Sequence, residues 1–275
     1  MEAAMSKLAG LVFLSSALWM VSATAQVREE FLVPVDYQGG RIQLRAEFQK
    51  PATAAGPFPA VIALHNCGGY NEPYSMTTWL PLFWQQGYAT LRIDSFTARG
   101  HHGSICGNLG EVTTVERATD ALAAAYVLAG RPDVRRDRIA VIGWSHGGAG
   151  ARAAAKDSPD TRPARGKLAS VGGKLVASIA LYGGCGTPEY PVIVPLLVLV
   201  GALDDWAPVL GGADCLVLAK AYPRFVTVQV YPGAYHGFDV PGDVTRSAGH
   251  INAYNAEATA DARNRATEFL RRYMQ

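Results

Sequence analysis

The sequence predicts an α/β protein: one mostly parallel central sheet of about eight strands, flanked by helices in a single domain. Three observations carry that expectation. Apolar, β-rich runs alternate with helix-patterned stretches along the 275 residues. The later runs are almost continuously apolar, as strands covered on both faces must be. Finally, 49% of the chain is hydrophobic against 17% charged, enough to fill one large core. The formal net charge is +2 with scattered basic residues, so there is no electrostatic footprint for nucleic acid, and a small-molecule partner is expected.

In chain order, residues 1–25 read as a signal peptide: Lys7, an apolar run from Leu8 to Val21, then Ala23-Thr24-Ala25 as a small-residue cleavage site. The run is shorter than the roughly 20 residues that span a bilayer. Export with cleavage after Ala25 is expected, leaving a mature domain, 26–275, free of the membrane; an uncleaved anchor is the alternative. Met5 is a possible second start, giving a more basic leader. Strands are expected at Glu30 to Val35, Ile42 to Phe48, Pro59 to His65, Tyr88 to Asp94, Arg138 to Gly143, Leu175 to Tyr182, Pro195 to Gly201 and Val226 to Tyr231. The first two, joined through Gln38-Gly39-Gly40, form an antiparallel hairpin at the sheet edge. Helices are expected at Tyr74 to Gln86, Thr113 to Ala129, Gly147 to Ala155, Gly211 to Ala221 and Ala256 to Tyr273, with a capping box between Thr113 and Glu116. The stretch Lys156 to Gly173, rich in Ser, Pro, Arg and Gly, reads as a surface loop.

The strongest chemical signal is Gly143-Trp144-Ser145-His146-Gly147, where an apolar strand must turn into a helix. Such a turn exposes a serine hydroxyl on a strained backbone and requires glycines beside it. A serine is a poor nucleophile until a base takes its proton and an acid orients that base. For an α/β-hydrolase fold the chain order is serine, acid, histidine. His236, in the loop after the last strand, is the expected base, whereas His250 lies in a polar stretch and is expected to be solvated. Asp204, in the loop after the preceding strand, is the expected acid, with Asp205 as the alternative. An oxyanion hole would use the backbone N–H of His146 and that of Cys67 in His65-Asn66-Cys67-Gly68-Gly69, or of Asn66. His65 itself is expected to be structural.

Four cysteines lie beyond residue 25, and an even number in an exported chain favours disulfides. Spacing alone leaves three connectivities open. The fold order favours Cys67 with Cys106 and Cys185 with Cys215, each pair tying neighbouring loops at the carboxyl edge of the sheet, against reduced thiols or another pairing. Arg99 is a candidate fork for a substrate carboxylate, with a structural salt bridge as the alternative. Asn66, Trp144, Trp206 and Tyr70 are candidate pocket residues, the aromatic ones equally candidates for the core. His101-His102 belongs to no ligand set at metal-site spacing, so no metal is expected.

With these residues placed, the chain resembles the dienelactone hydrolase family over nearly all of its mature length, through the His65 to Gly69 loop, Asp94-Ser95-Phe96 running to Arg99-Gly100, the Gly143 to Gly148 turn, and the Asp204 and His236 loops. The resemblance implies a monomeric, lid-less, cofactor-free hydrolase. Three departures argue against dienelactone itself as substrate: Ser145 stands where the name-giving members use cysteine, Asn66 where they carry a glutamate, and Val240 where they carry a second arginine. The expected reaction is cleavage of other carboxylic esters or lactones. Two rival readings are a serine peptidase of the prolyl-oligopeptidase type, whose usual amino-terminal propeller 275 residues cannot hold, and an inactive member that only binds.

Overall fold

A computed structural model describes residues 26–275 except 53, 72–73 and 207–211. The expected signal peptide, residues 1–25, therefore lies outside the described residues, as does Gly211 at the expected start of a helix. Eight strands form the central sheet: β1 (Gln26–Tyr37), β2 (Gly40–Pro51), β3 (Phe58–Leu64), β4 (Ala89–Ile93), β5 (Val134–Trp144), β6 (Leu175–Leu181), β7 (Leu196–Gly201) and β8 (Val226–Tyr231). Their order across the sheet is β1-β2-β4-β3-β5-β6-β7-β8. The β2 strand runs antiparallel to both β1 and β4. From β4 to β8 every pairing is parallel.

Among the described residues, six α-helices cover the two faces. On one side α2 (Thr114–Ala129), α3 (His146–Ala154), α4 (Arg162–Ser170) and α5 (Ala213–Ala221) pack residues such as Leu122, Leu128, Leu168 and Leu218 against Ala60, Ile62 and Leu64. On the other, α1 (Tyr74–Gln85) and α6 (Ala256–Met274) pack Trp79, Phe83 and Leu270 against Val61, Ala63, Ile142 and Leu199. Alternate residues of β3 thus serve opposite cores, which is why the parallel strands read as unbroken apolar runs. Helix α6 buries Ala258, Ala262, Ala266, Leu270 and Met274, one residue every fourth position, so that a single stripe meets the sheet. Helix α2 starts with the expected capping box: Thr113 accepts from the Glu116 N–H, and the Glu116 carboxylate accepts from the Thr113 N–H.

Two segments depart from the sequence expectation. The stretch from Lys156 to Gly173 is not a loop throughout, since Arg162–Ser170 is helical. Pro163 sits in its first turn, where a missing N–H costs nothing, and Leu168 is its one buried side chain. A short hairpin, β9 (Thr245–Ser247) with β10 (His250–Asn252), forms between β8 and α6. It places His236 opposite Asn252 through an isolated parallel bridge. Both disulfides have the pairing favoured from the fold, Cys67–Cys106 and Cys185–Cys215. Among the described residues, no helix is long and apolar enough to cross a membrane.

Candidate active site

Strand β5 ends at Trp144 and α3 begins at His146, which makes Ser145 the single residue at the turn. Its backbone takes φ 53° and ψ −119°, a conformation that side chains disfavour. It is held there by its N–H donating to the Leu181 carbonyl at 2.9 Å. The turn closes because two residues have no side chain. A Cβ on Gly143 would strike the Gly147 carbonyl, and one on Gly147 would strike the carbonyls of Leu64 and His65.

Loops after β7 and β8 bring the remaining groups to this turn. The Ser145 hydroxyl lies 2.9 Å from His236 Nε2 and can donate to it. On the opposite edge of the ring, Nδ1–H donates to both carboxylate oxygens of Asp204, each at 3.1 Å. Asp204 is fully buried, and its Oδ1 also accepts from the Trp206 N–H. The Trp206 ring stacks on the imidazole at 5.2 Å, and the Tyr182 ring meets it edge-on at 4.7 Å. Asp205 points elsewhere, 3.5 Å from His250 Nδ1. His250 is half-buried rather than freely solvated, because it also lies 4.6 Å from the Trp206 ring.

The segment after His236 is fixed from behind. The Tyr182 hydroxyl and the Trp79 indole N–H each donate to a different oxygen of buried Asp239 at 2.7 Å. Burial pushes the Asp239 carboxyl up, and the two donors pull it back towards ionisation. A lone acid three residues past a histidine carries no sequence signal of this role. Its partners are 57 and 160 residues away.

The loop after β3 is shaped by His65. Ser95 N–H donates to its Nε2, so the proton sits on Nδ1, which donates to the Asn66 carbonyl at 2.8 Å. In a trans peptide the C=O and the following N–H point in opposite directions. Drawing the Asn66 carbonyl towards His65 therefore turns the Cys67 N–H away from it. Arg117 of α2 donates to the His65 carbonyl at 2.6 Å and lies 3.4 Å from His146 Nδ1. Burial lowers its guanidinium to about 10, still cationic at neutral pH. Burial, with the Arg117 charge adding to it, holds His65 well below the usual imidazole range and His146 at about 3. Both rings are neutral supports. The His146 N–H is the first of α3, a position whose donor has no partner inside its helix.

An open cleft of about 420 Å³ lies beside Ser145, lined among others by Asn66, Cys67, Cys106, Tyr182, Trp206 and His236. Three expected pocket residues lie elsewhere. The Arg99 side chain is buried, its guanidinium gripping Asp120 at 2.8 and 2.9 Å and the Ser95 carbonyl at 2.6 Å, so both terminal nitrogens are engaged by the protein. Trp144 is wholly buried on the far side of the turn, 6.0 Å from Trp79. Tyr70 is likewise buried, beneath the Arg92 guanidinium.

The dienelactone hydrolase family model matches residues 44–274, and the chain belongs to that family of hydrolases. Among solved structures, it superposes with TM-score 0.68 on a dienelactone hydrolase candidate from Klebsiella pneumoniae, at 22% identity over 90% of this chain and 100% of the other. It matches Thermogutta terrifontis esterase 2, phosphonylated by cyclosarin, with TM-score 0.62 at 16% identity, over 89% of this chain and 93% of the other. It also matches Porphyromonas gingivalis dipeptidyl peptidase 4 with TM-score 0.60 at 17% identity, over 90% of this chain but 35% of that one. No curated protein matches the chain significantly.

Proposed function

We propose that the protein is an exported serine hydrolase that cleaves carboxylic esters or lactones through an acyl-enzyme on Ser145. The observation that carries this reading is the unbroken line from the Ser145 hydroxyl through the His236 ring to Asp204, at 2.9 and 3.1 Å, opening on a cleft. As Ser145 Oγ attacks the acyl carbon, His236 Nε2 takes its proton, and Asp204 holds the tautomer and stabilises the imidazolium. The oxyanion develops between the N–H groups of Cys67 and His146. His236 then gives its proton to the departing alkoxide, and water repeats the sequence on the acyl-enzyme. Every group in the proposed line comes from this chain, so the step requires no residue from a second copy, and a monomeric, cofactor-free enzyme is part of the same proposal. The two disulfides and the apolar leader support export.

Ser145→Ala should abolish labelling by a fluorophosphonate probe and lower kcat on a short p-nitrophenyl ester by a factor on the order of 10⁶. Persistent turnover in that variant refutes the assignment. The likeness in fold to a dipeptidyl peptidase favours one second reading, cleavage of peptides. It prevails if peptide anilides are cut faster than matched esters.

A further inference from the structure

The cleft beside Ser145 is walled on its outer side by the segment that follows His236, from Val240 through the β9–β10 hairpin to Tyr254. That wall brings one carboxylate to the cleft, Asp243. Among the described residues lining the cleft there is no lysine and no arginine. Residues 72–73 and 207–211, whose placement is undescribed, are Glu, Pro and Ala-Pro-Val-Leu-Gly in sequence and supply no cation either. Arg99 is spent on Asp120. Arg246 falls between Thr245 and Ser247, both of which face the cleft; strand alternation turns it to the other face, where it donates to the Gly249 carbonyl. Among small and polar lining residues such as Asn66, Ser104, Thr245 and Asn252, the cleft also presents aromatic ones: Tyr74 and Tyr254, 44% and 41% exposed, and half-buried Trp206.

Resting on the esterase reading above, we propose that this cleft selects its substrate by charge: it takes uncharged and cationic esters and rejects those bearing a carboxylate, with Asp243 as the determinant. A carboxylate entering here meets a like charge and finds no guanidinium or ammonium to replace its water. An ammonium or quaternary nitrogen gains the Asp243 field and aromatic neighbours in Tyr74 and Tyr254. Asp243 is exposed, so its charge acts through water and is screened by salt; the expected discrimination is about five- to tenfold from Asp243, not thousands.

The test uses three p-nitrophenyl esters of matched shape: a trimethylammonio-butanoate, its uncharged tert-butyl isostere and the hemiglutarate, each kcat/KM divided by the ester's rate with hydroxide. The cationic and neutral esters should exceed the anionic one by at least about tenfold at low salt. Asp243→Asn should contract the cationic-to-anionic ratio about fivefold, and about 1 M salt should contract it similarly in the wild type. Normalised rates that are equal, or a ratio indifferent to Asp243→Asn, overturn the proposal. If the uncharged isostere is not hydrolysed in a Ser145-dependent manner, the esterase reading fails first and the charge proposal falls with it.

Discussion

His65 bears on the proposed reaction without lining the cleft. Its Nδ1–H fixes the Asn66–Cys67 peptide, and that peptide's N–H is a proposed oxyanion donor. In His65→Ala the peptide loses this anchor and keeps only the longer Gly69 N–H bond to the Asn66 carbonyl, at 3.3 Å, and kcat should fall by up to about 10²-fold, the usual cost of one such donor, while KM changes little. His65→Asn, which keeps a donor near the same place, should recover much of the loss; equal kcat in wild type and the alanine variant would remove His65 from the mechanism as a positioning residue. At this scale the sequence was legible where chemistry depends on neighbours in the chain. Ser145 is marked by its flanking glycines and Asp204 by the strand before it. It was illegible where one side chain decides the role of another far away. Nothing near Arg99 announces that Asp120, on α2, takes both of its forks, and nothing near Trp144 shows that its ring turns down into the core towards Trp79.

Among elements, the strands were legible because burial on both faces leaves no room for polar residues, whereas α4 and the β9–β10 hairpin were not. Helix α4 buries only Leu168, so it has almost no apolar stripe to read. The hairpin has three-residue strands whose place is set by its bridge to His236. The loops at the carboxyl edge are joined in pairs by the disulfides, which span 39 and 30 residues. By loop-closure entropy each stabilises the fold by about 3 to 4 kcal/mol. The two should differ in their effect on activity. Replacing Cys185 and Cys215 together by alanine should lower the urea midpoint with modest change in kcat. Replacing Cys67 and Cys106 should lower both, since Cys67 supplies a proposed oxyanion donor; equal kcat in the two double variants would show that the Cys67–Cys106 link does not hold that donor.

For the whole molecule, acid is the expected weakness. Folding holds His65 and His146 neutral in a buried cluster with Arg117, while in the unfolded chain each takes up a proton below about pH 6.5. The unfolded state therefore binds more protons below that pH, and stability falls as pH drops from 6.5 towards about 3, the value of folded His146. At pH 5 His146 alone should cost about 2 kcal/mol. The window is distinct from that of Asp133, whose carboxyl is held at about 2 by Arg131 and then Lys50 and whose contribution is lost only below about pH 4. Urea midpoints at pH 7.5 and 5 should reveal the drop, and His146→Gln should shrink it; midpoints that do not move would mean that the cluster admits a proton while folded. The fold thus has a second point of tension, at the proposed nucleophile. A glycine in place of Ser145 would occupy the same backbone angles without strain, so the residue best suited to endurance at that site is the one with no chemistry. If the proposed reaction holds, a lineage selected for heat resistance alone would be drawn towards discarding this nucleophile, and only the demand for turnover keeps a hydroxyl there.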